Sequence, residues 1–361
     1  MLSRNPRIIL EKLDSVNNPS SMHGIYPYRG KISAIDAANI ISQLPNCGTL
    51  LDPFCGSGTI VYEAIKHGMN AIGVDNNPLA IQIAKSKICL NHSVVESCEE
   101  IIKKAKQDLI NMDYDKMPDA PSKSFHCDTA NEIMCIKKYY TEMSEYLKGV
   151  FYGTIALAAR GCNGYKWTSS TVGKNIEPKT YICFFDKFLS KAKKHERYIL
   201  TNEDTEGKII HGDSRRLSEY IPPKSIDFVF TSPPYFDGLD YTAYYGKLIY
   251  EIFGEDRTQI KQSLIQHSDS YLNDMTMVLS ELDKVTTDDA LIIFVVGDKK
   301  IKSQVINGGE FFNNIKKASY ISERRYSGTS SQVFDTLNKT DRKEQIVVWD
   351  KRDGEVIIYD E

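Results

Sequence analysis

The sequence predicts an α/β protein built on a doubly wound, mostly parallel sheet. Apolar stretches rich in β-branched residues alternate with stretches of helical periodicity, and turns rich in glycine or proline follow two of the strands. In such a sheet the ligand binds at the carboxyl ends of the strands, so these two turns mark the expected site. The predicted strands are 48–52, 70–75, 208–212, 225–231, 290–297, 318–326 and 344–350, and the predicted helices are 33–44, 59–68, 78–91, 241–253, 271–286 and 309–317.

The first predicted strand runs into a glycine turn. Residues 48–59 read GTLLDPFCGSGT, and Gly56 and Gly58 let the backbone approach a ligand closely where the next helix begins. The following strand, NAIGVD, ends in Asp75, at the position where an acid binds a ribose diol in dinucleotide-binding folds. Because the turn lacks the full GxGxxG pattern and no GxxxxGKS or GxxxxGKT occurs, a nucleoside ligand without a pyrophosphate fits better than NAD or ATP.

A long segment, residues 92–205, separates the second and third predicted strands. Its periodic stretches predict amphipathic helices, since a linker of this length without secondary structure is rare inside a compact domain. The chain is therefore predicted to have an α/β part, formed by residues 1–91 and 206–361, and a helical insertion, 92–205.

The fourth predicted strand ends in the sequence Thr-Ser-Pro-Pro-Tyr at 231–235. Two successive prolines cannot continue a sheet ladder, because neither has an N–H, so the strand stops in a rigid turn. The turn holds the Ser232 hydroxyl, the Pro233 carbonyl and the Tyr235 ring together, which suits a flat substrate with an exocyclic amino group. Taken alone, the segment is equally compatible with a purely structural turn.

Together, DPFCGSGT, VDNNP and TSPPY resemble the S-adenosylmethionine-binding and catalytic motifs of DNA methyltransferases that modify amino groups. The resemblance is stronger to cytosine-N4 enzymes than to adenine-N6 enzymes, since serine at position 232 is typical of the former and aspartate or asparagine of the latter. HGIYPYRGK at 23–31 resembles the segment that helps hold the methionine end of the cofactor. HGDS at 211–214 resembles the motif whose acid contacts the adenine.

The resemblance implies a Rossmann-like methyltransferase fold, S-adenosylmethionine as cofactor, and double-stranded DNA with a specific target site as substrate. It implies the modification enzyme of a restriction-modification system, with a cognate restriction endonuclease as a candidate partner. The implied catalytic residues are Ser232, Pro233, Pro234 and Tyr235, the last stacking on a base flipped out of the duplex. The residues implied to bind the cofactor are Tyr26, Lys31, Asp52, Phe54, Gly56, Gly58, Thr59, Asp75, Asn76 and Asp213.

The net charge of −3 conceals two basic clusters that are candidates for DNA contact. Residues 181–198 contain five basic and two acidic residues, and residues 299–325 contain seven basic and two acidic residues. Such clusters can neutralise phosphates, or they can be solvated surfaces. We favour DNA contact for 299–325, which follows a strand expected to border the site. The loop GYKWTSSTVGK at 164–174 makes the insertion a candidate DNA-recognition subdomain, unless Trp167 packs locally.

Several other classes of protein fit the sequence poorly. The eight cysteines form no CxxC pair, so neither a disulfide framework nor a metal site is expected. No Pro-Cys dipeptide occurs, which disfavours cytosine-C5 methylation. No membrane-spanning stretch or signal peptide is recognised, so a cytoplasmic location is expected.

An RNA or protein amide methyltransferase and a non-catalytic nucleic-acid-binding subunit remain alternatives.

Overall fold

The computed structural model describes residues 21–28, 32–90, 93–166, 176–177, 179–201, 204–234, 240–301, 304–327 and 341–352. The strands are β1 Thr49–Asp52, β2 Asn70–Asp75, β3 Gly207–His211, β4 Ile226–Thr231, β5 Thr286–Gly297, β6 Lys299–Ile301, β7 Gln304–Ile306, β8 Tyr320–Ser327 and β9 Asp341–Asp350. The helices are α1 Ala34–Ile41, α2 Thr59–His67, α3 Pro78–Lys87, α4 Val94–Asn111, α5 Asp119–Ser122, α6 Cys127–Lys137, α7 Glu145–Cys162, α8 Phe184–Glu196, α9 Tyr245–Phe253, α10 Arg257–Ser263, α11 Ser268–Val285 and α12 Gly308–Ile315.

Seven of these strands form one sheet in the order β3-β2-β1-β4-β5-β9-β8. The first five pair in parallel, and β9 runs antiparallel to both of its neighbours. The chain proceeds outward from β1 to β3 on one side of the sheet and from β4 to β5 on the other. This confirms the predicted doubly wound, mostly parallel sheet and places its switch point between β1 and β4, where a ligand crevice is expected.

The two faces of the sheet contact different helices. Side chains alternate between the faces along each strand. Leu50 and Phe228 therefore belong to the core that contains α1 to α3 and most of the insertion, whereas Leu51 and Val229 belong to the core under α11 and α12. Among the described helices, none is both long and apolar enough to span a membrane.

The insertion packs directly on the α/β part. Its helices α4, α6, α7 and α8 contribute to the same hydrophobic core as one face of the sheet. A Cβ on Gly153 of α7 would lie 1.8 Å from the Ile25 carbonyl oxygen, so α7 can approach residues 21–28 only because this position is glycine. We call residues 21–28 the N-terminal strap. The predicted boundaries of the insertion, 92–205, stay a prediction.

Some predicted boundaries were wrong. The helix predicted at 78–91 ends at Lys87. Strand β5 begins at Thr286 rather than 290, because its polar start, TTDD, pairs with β4 only through tertiary structure. The β6–β7 hairpin was not predicted, since its charged sequence lacks the apolar alternation of a buried strand.

Candidate active site

An open pocket of about 610 Å³ lies at the carboxyl ends of the central strands. It is lined from one side by the turns after β1 and β2 and from the other by the turn after β4. This is the crevice that the strand order predicts. The predicted site residues that line it are Phe54, Gly56, Asp75, Asn76, Asp213, Ser232 and Pro234.

The glycine turn after β1 is fixed by its own backbone conformation and by its close packing against helix α3. Gly56 and Gly58 both have positive φ, 49° and 70°, which favours glycine. A Cβ on Gly58 would lie 2.8 Å from Ala84 Cβ of α3, so the helix also packs closely here. The turn therefore places Gly56 in the pocket wall, and α2 begins behind it at the buried Thr59.

The Asp75 carboxylate accepts hydrogen bonds from the turn after β1 and from the turn after β2. Its Oδ2 accepts a hydrogen bond from the Gly56 N–H at 2.8 Å, and its Oδ1 accepts one from the Asn77 N–H at 2.8 Å. Burial raises the pKa of Asp75, and these two hydrogen bonds oppose the increase. Each carboxylate oxygen has a further lone pair, so Asp75 can still accept a hydroxyl of a ligand in the pocket.

Asp213 lines the same pocket as Asp75 and forms an ion pair with Arg215. The Arg215 Nη2 atom is 2.6 Å from Asp213 Oδ2, and its Nη1 atom is 2.9 Å from Oδ1 of the buried Asp274. Asp213 also accepts the Arg215 N–H at the start of a short 3₁₀ helix, Ser214–Glu219. Its carboxylate is therefore fixed at the pocket wall by a neighbouring guanidinium.

The turn after β4 places Ser232 in the same pocket. Ser232 and Pro234 are partly exposed and line the pocket, whereas Pro233 is buried. The Tyr271 hydroxyl donates to the Pro234 carbonyl at 2.7 Å. The Pro234 carbonyl is thus already bonded to the protein, and Ser232 lines the same pocket as Asp75 and Asp213.

Asp52 connects the turn after β1 to the turn after β4 through hydrogen bonds. Its Oδ1 accepts hydrogen bonds from Thr231 Oγ1 at 2.7 Å and from the Phe54 N–H at 3.2 Å. Burial raises the pKa of Asp52 to about 7, although the Thr231 and Phe54 hydrogen bonds act in the opposite direction. Asp52 does not line the pocket; it joins the end of β1 to the end of β4.

Two other predicted residues also lie behind the pocket wall. Tyr26 and Thr59 are buried, and within the described part of the chain neither the Tyr26 hydroxyl nor Thr59 Oγ1 has a hydrogen-bond partner. Tyr26 lines a second, smaller open pocket, which shares Tyr28 and Tyr241 with the main pocket. Lys31 and Tyr235 lie outside the described residues.

The pocket contains residues that the sequence did not single out. Tyr28 lines it from the strap, and Tyr241 and the segment 263–265 close it from the far side. Asn77 caps α3 through the Leu79 N–H at 3.0 Å and accepts the Tyr250 hydroxyl at 2.7 Å. The sequence Asn77-Pro78 is a recognisable helix start, and Tyr28 lies within the motif at 23–31, but no sequence signal points to 263–265.

The pocket fits an adenosyl ligand. The carboxylates of Asp75 and Asp213 belong to its lining, Tyr28 and Phe54 supply aromatic surface, and Gly56 brings backbone to the pocket wall. Within the described residues, two buried hydroxyls have no hydrogen-bond partner, those of Tyr26 in the strap and of Thr59, which directly follows Gly58. This fold with this pocket defines the class of S-adenosylmethionine-dependent methyltransferases.

Comparisons with known proteins identify the family. Residues 35–294, more than half of the chain, match the model of the D12 class N6 adenine-specific DNA methyltransferases, and the chain belongs to this family. It is 22% identical to the Type II methyltransferase M.MjaII of Methanocaldococcus jannaschii, across 81% of this chain and 75% of the relative. It is 23% identical to the Type II methyltransferase M.MvaI of Kocuria varians, across 84% of this chain but only 64% of the relative.

A solved structure, the rRNA methyltransferase aviRa from Streptomyces viridochromogenes, aligns with 90% of this chain and 88% of its own at 14% identity, with a TM-score of 0.33. The comparisons of sequence confirm the predicted amino-methylating DNA methyltransferase family and S-adenosylmethionine as the methyl donor. The substrate is DNA.

Proposed function

We propose that the chain methylates the exocyclic amino group of a base in DNA, with cytosine N4 as the favoured target. The observation that carries this proposal is the position of Ser232. Ser232 lines the same pocket as Asp75 and Asp213, the residues that we assign to the ribose and the adenine of the cofactor. A hydrogen-bond acceptor beside the cofactor can orient an amino group for attack on the transferred methyl.

The mechanism that we propose needs positioning more than proton transfer. An exocyclic amino group is a poor nucleophile because its lone pair is delocalised into the ring. Hydrogen bonds to Ser232 Oγ and the Pro233 carbonyl favour a pyramidal nitrogen, and S-adenosylmethionine supplies the electrophilic methyl. The methylated nitrogen is strongly acidic, so no strong general base is required, and alignment of the reactants provides much of the rate.

The Pro233 carbonyl is the better candidate for the second acceptor, because Tyr271 already bonds the Pro234 carbonyl. Two features restrict the turn: Pro233 is buried, and the Tyr271 hydroxyl donates a hydrogen bond to the Pro234 carbonyl. We further propose that Tyr235 stacks on the flipped base, as the resemblance implies. Loss of such stacking costs about 1–3 kcal/mol per base.

Adenine N6 is the second candidate target, and the family description favours it. Serine at position 232, where adenine enzymes typically have aspartate or asparagine, favours cytosine instead. The protein would be incubated with isotope-labelled S-adenosylmethionine and unmethylated genomic DNA, and the nucleosides separated by mass spectrometry. Labelled N4-methylcytosine supports the first candidate and labelled N6-methyladenine the second; label on neither base contradicts the proposal.

We also propose that this is the modification enzyme of a restriction-modification system, because two relatives are named Type II methyltransferases. A cognate endonuclease and a cytoplasmic location belong to the same proposal. The methyl transfer that we propose requires no metal. His126, Cys127 and Asp128 are close enough to bind one, but they are consecutive residues at the start of α6, where His126 caps the helix.

Both basic clusters have exposed cations: Lys187, Lys194 and Arg197 in 181–198, and Lys317 in 299–325. In the cluster at 181–198, Lys191 donates to the Gly24 carbonyl and Lys193 pairs with Glu99. In the cluster at 299–325, Lys316 pairs with Asp283. Lys317 of that cluster is exposed, and we retain 299–325 as the proposed DNA contact.

A further inference from the structure

A fully buried lysine lies beneath the glycine turn. Lys87, the last residue of α3, has no solvent-exposed surface, and its Nζ donates to Ser57 Oγ at 3.2 Å. Ser57 stands between the two glycines of the turn. Lysine is almost never fully buried unless it is paired, so this position needs an explanation.

The lysine also contacts the N-terminal strap. Its Nζ is 3.3 Å from His23 Nδ1, and His23 Nε2 is 2.8 Å from Glu63 Oε1 on α2. Because the ammonium can only donate, Nδ1 must accept, which leaves Nε2 as the donor to Glu63. Burial acts to raise the pKa of Glu63, but the interactions with His23 and Lys66 outweigh burial and lower this pKa below its ordinary value. The chain of bonds thus runs from the turn to the strap and ends on a carboxylate.

The turn and the strap are two walls of the same pocket. Gly56 and Tyr28 both line it, and a Cβ on Gly56 would lie 3.3 Å from Tyr28 Cε1. On its outer side the strap is held by α8, where Lys191 donates to the Gly24 carbonyl at 3.2 Å and His195 Nδ1 lies 3.1 Å from the Ser21 carbonyl oxygen. Lys87 is the connection between the strap and the turn on the inner side.

We propose that Lys87 is a positioning residue for S-adenosylmethionine: through Ser57 and His23 it sets the distance between the glycine turn and the strap. Its buried positive charge also lies behind a helix N-terminus, where it favours an anionic group such as the methionine carboxylate of the cofactor. This inference rests on the proposed placement of the cofactor in this pocket. Loss of Lys87 should therefore change cofactor affinity more than the rate of methyl transfer.

The test is a cycle of variants measured by calorimetry and single-turnover kinetics. Lys87→Met retains most of the side-chain volume and removes the charge, and we expect about 10- to 100-fold weaker S-adenosylmethionine binding, as for the loss of a hydrogen bond to a charged group. The rate at saturating cofactor should stay within about 3-fold of wild type, the pattern of a residue that acts on binding. Ser57→Ala should weaken binding less, and its effect should largely disappear when combined with Lys87→Met, because both act through one bond.

Lys351→Met is the matched control. Lys351 Nζ donates to Oγ1 of the buried Thr286, where β5 begins, at the end of the sheet away from the pocket. This variant should lose stability without losing cofactor affinity. Wild-type affinity in folded Lys87→Met, or fully additive effects of the Lys87 and Ser57 variants, would overturn the proposal.

Two further variants, Glu63→Gln and Asp75→Ala, ensure that the experiment either supports or refutes the proposal. If Lys87→Met does not fold, Ser57→Ala and Glu63→Gln preserve side-chain volume and carry the test; wild-type affinity in both would refute the positioning role. Asp75→Ala separates this inference from the proposed site. If Asp75→Ala weakens binding while the Lys87 variants do not, only the inference fails, whereas wild-type binding in all of them rejects the pocket itself.

Discussion

The two turns at the centre of the site lie on neighbouring parallel strands but are stabilised by different means. The glycine turn after β1 is held by charged groups, with Asp75 accepting the Gly56 N–H and Lys87 donating to Ser57. Residues 232–235, which follow β4, include no glycine; Pro233 and Pro234 restrict the backbone there, and the neutral Tyr271 hydroxyl bonds the Pro234 carbonyl.

This difference matches the two tasks that we assign to them. A turn that binds a charged cofactor can use carboxylate and ammonium groups, whose interactions are strong when water is excluded. A turn that orients a neutral amino group needs rigidity, which proline provides through its fixed φ. Changes in the first turn should therefore alter binding, and changes in the second should alter rate.

Asp52, which joins the turns, is expected to give the largest effect, on stability. Its pKa is raised from 3.8 to about 7 in the folded protein. The folded state therefore retains a proton that the unfolded state releases, and the stability of the wild type falls as pH rises from about 4 to about 7. At about 1.4 kcal/mol per pKa unit, the upper limit of this loss is about 4 kcal/mol.

Asp52→Asn remains neutral at every pH and escapes this loss. The free energy of unfolding of the variant and of the wild type would be measured in urea across this pH range. The two values should be similar near pH 4. The difference in favour of the variant should grow up to about pH 7 and stay constant above it. A difference that does not change with pH would show that Asp52 has an ordinary pKa, and that the turns are not joined through a protonated carboxyl.

Asp75→Ala should have the next largest effect, on cofactor affinity. The substitution removes a charged acceptor, which typically costs about 1.5–3 kcal/mol, so S-adenosylmethionine should bind roughly 10- to 150-fold more weakly. It also frees the Gly56 N–H, so the turn itself loses a bond. Calorimetric titration gives the affinity, and Asp75→Asn, which retains one acceptor oxygen, should show a smaller loss. Wild-type affinity in Asp75→Ala would remove Asp75 from the site.

Ser232→Ala should have the smallest of these effects, and it should fall on the rate. One neutral hydrogen bond contributes about 0.5–1.5 kcal/mol, which corresponds to a decrease of about 2- to 15-fold in methyl transfer. S-adenosylmethionine affinity should stay within about 3-fold of wild type, since the Pro233 carbonyl and the cofactor residues are unchanged. Single-turnover kinetics separates the two. A variant with the wild-type rate but weaker cofactor binding would reverse the assignment of the turns.

Local sequence signals were sufficient for the glycine turn and its neighbours. Strand β2 was predicted at its observed bounds, 70–75, because it combines an apolar run with a terminal acid. The hydrogen bond by which Asp52 joins the two turns could not be predicted. Asp52 and its partner Thr231 are far apart in sequence and meet only when β1 pairs with β4.

The role of Lys87 was also invisible in the sequence. A lysine near the end of a helix normally indicates a solvated cation that complements the helix dipole. Here α3 ends against the strap and the glycine turn, so the same residue is buried. Likewise, the periodicity of the insertion predicted helices but could not show that α7 packs on Ile25 through Gly153.

The most direct test of the account is the identity of the methylated atom. DNA treated with the protein and labelled S-adenosylmethionine would be digested to nucleosides and resolved by mass spectrometry, with a reaction lacking the protein as control. The account predicts that the label is on an exocyclic amino nitrogen, with N4-methylcytosine as the favoured product. Label on a ring carbon, as in C5-methylcytosine, or no labelled nucleoside from a protein that binds the cofactor, would contradict it.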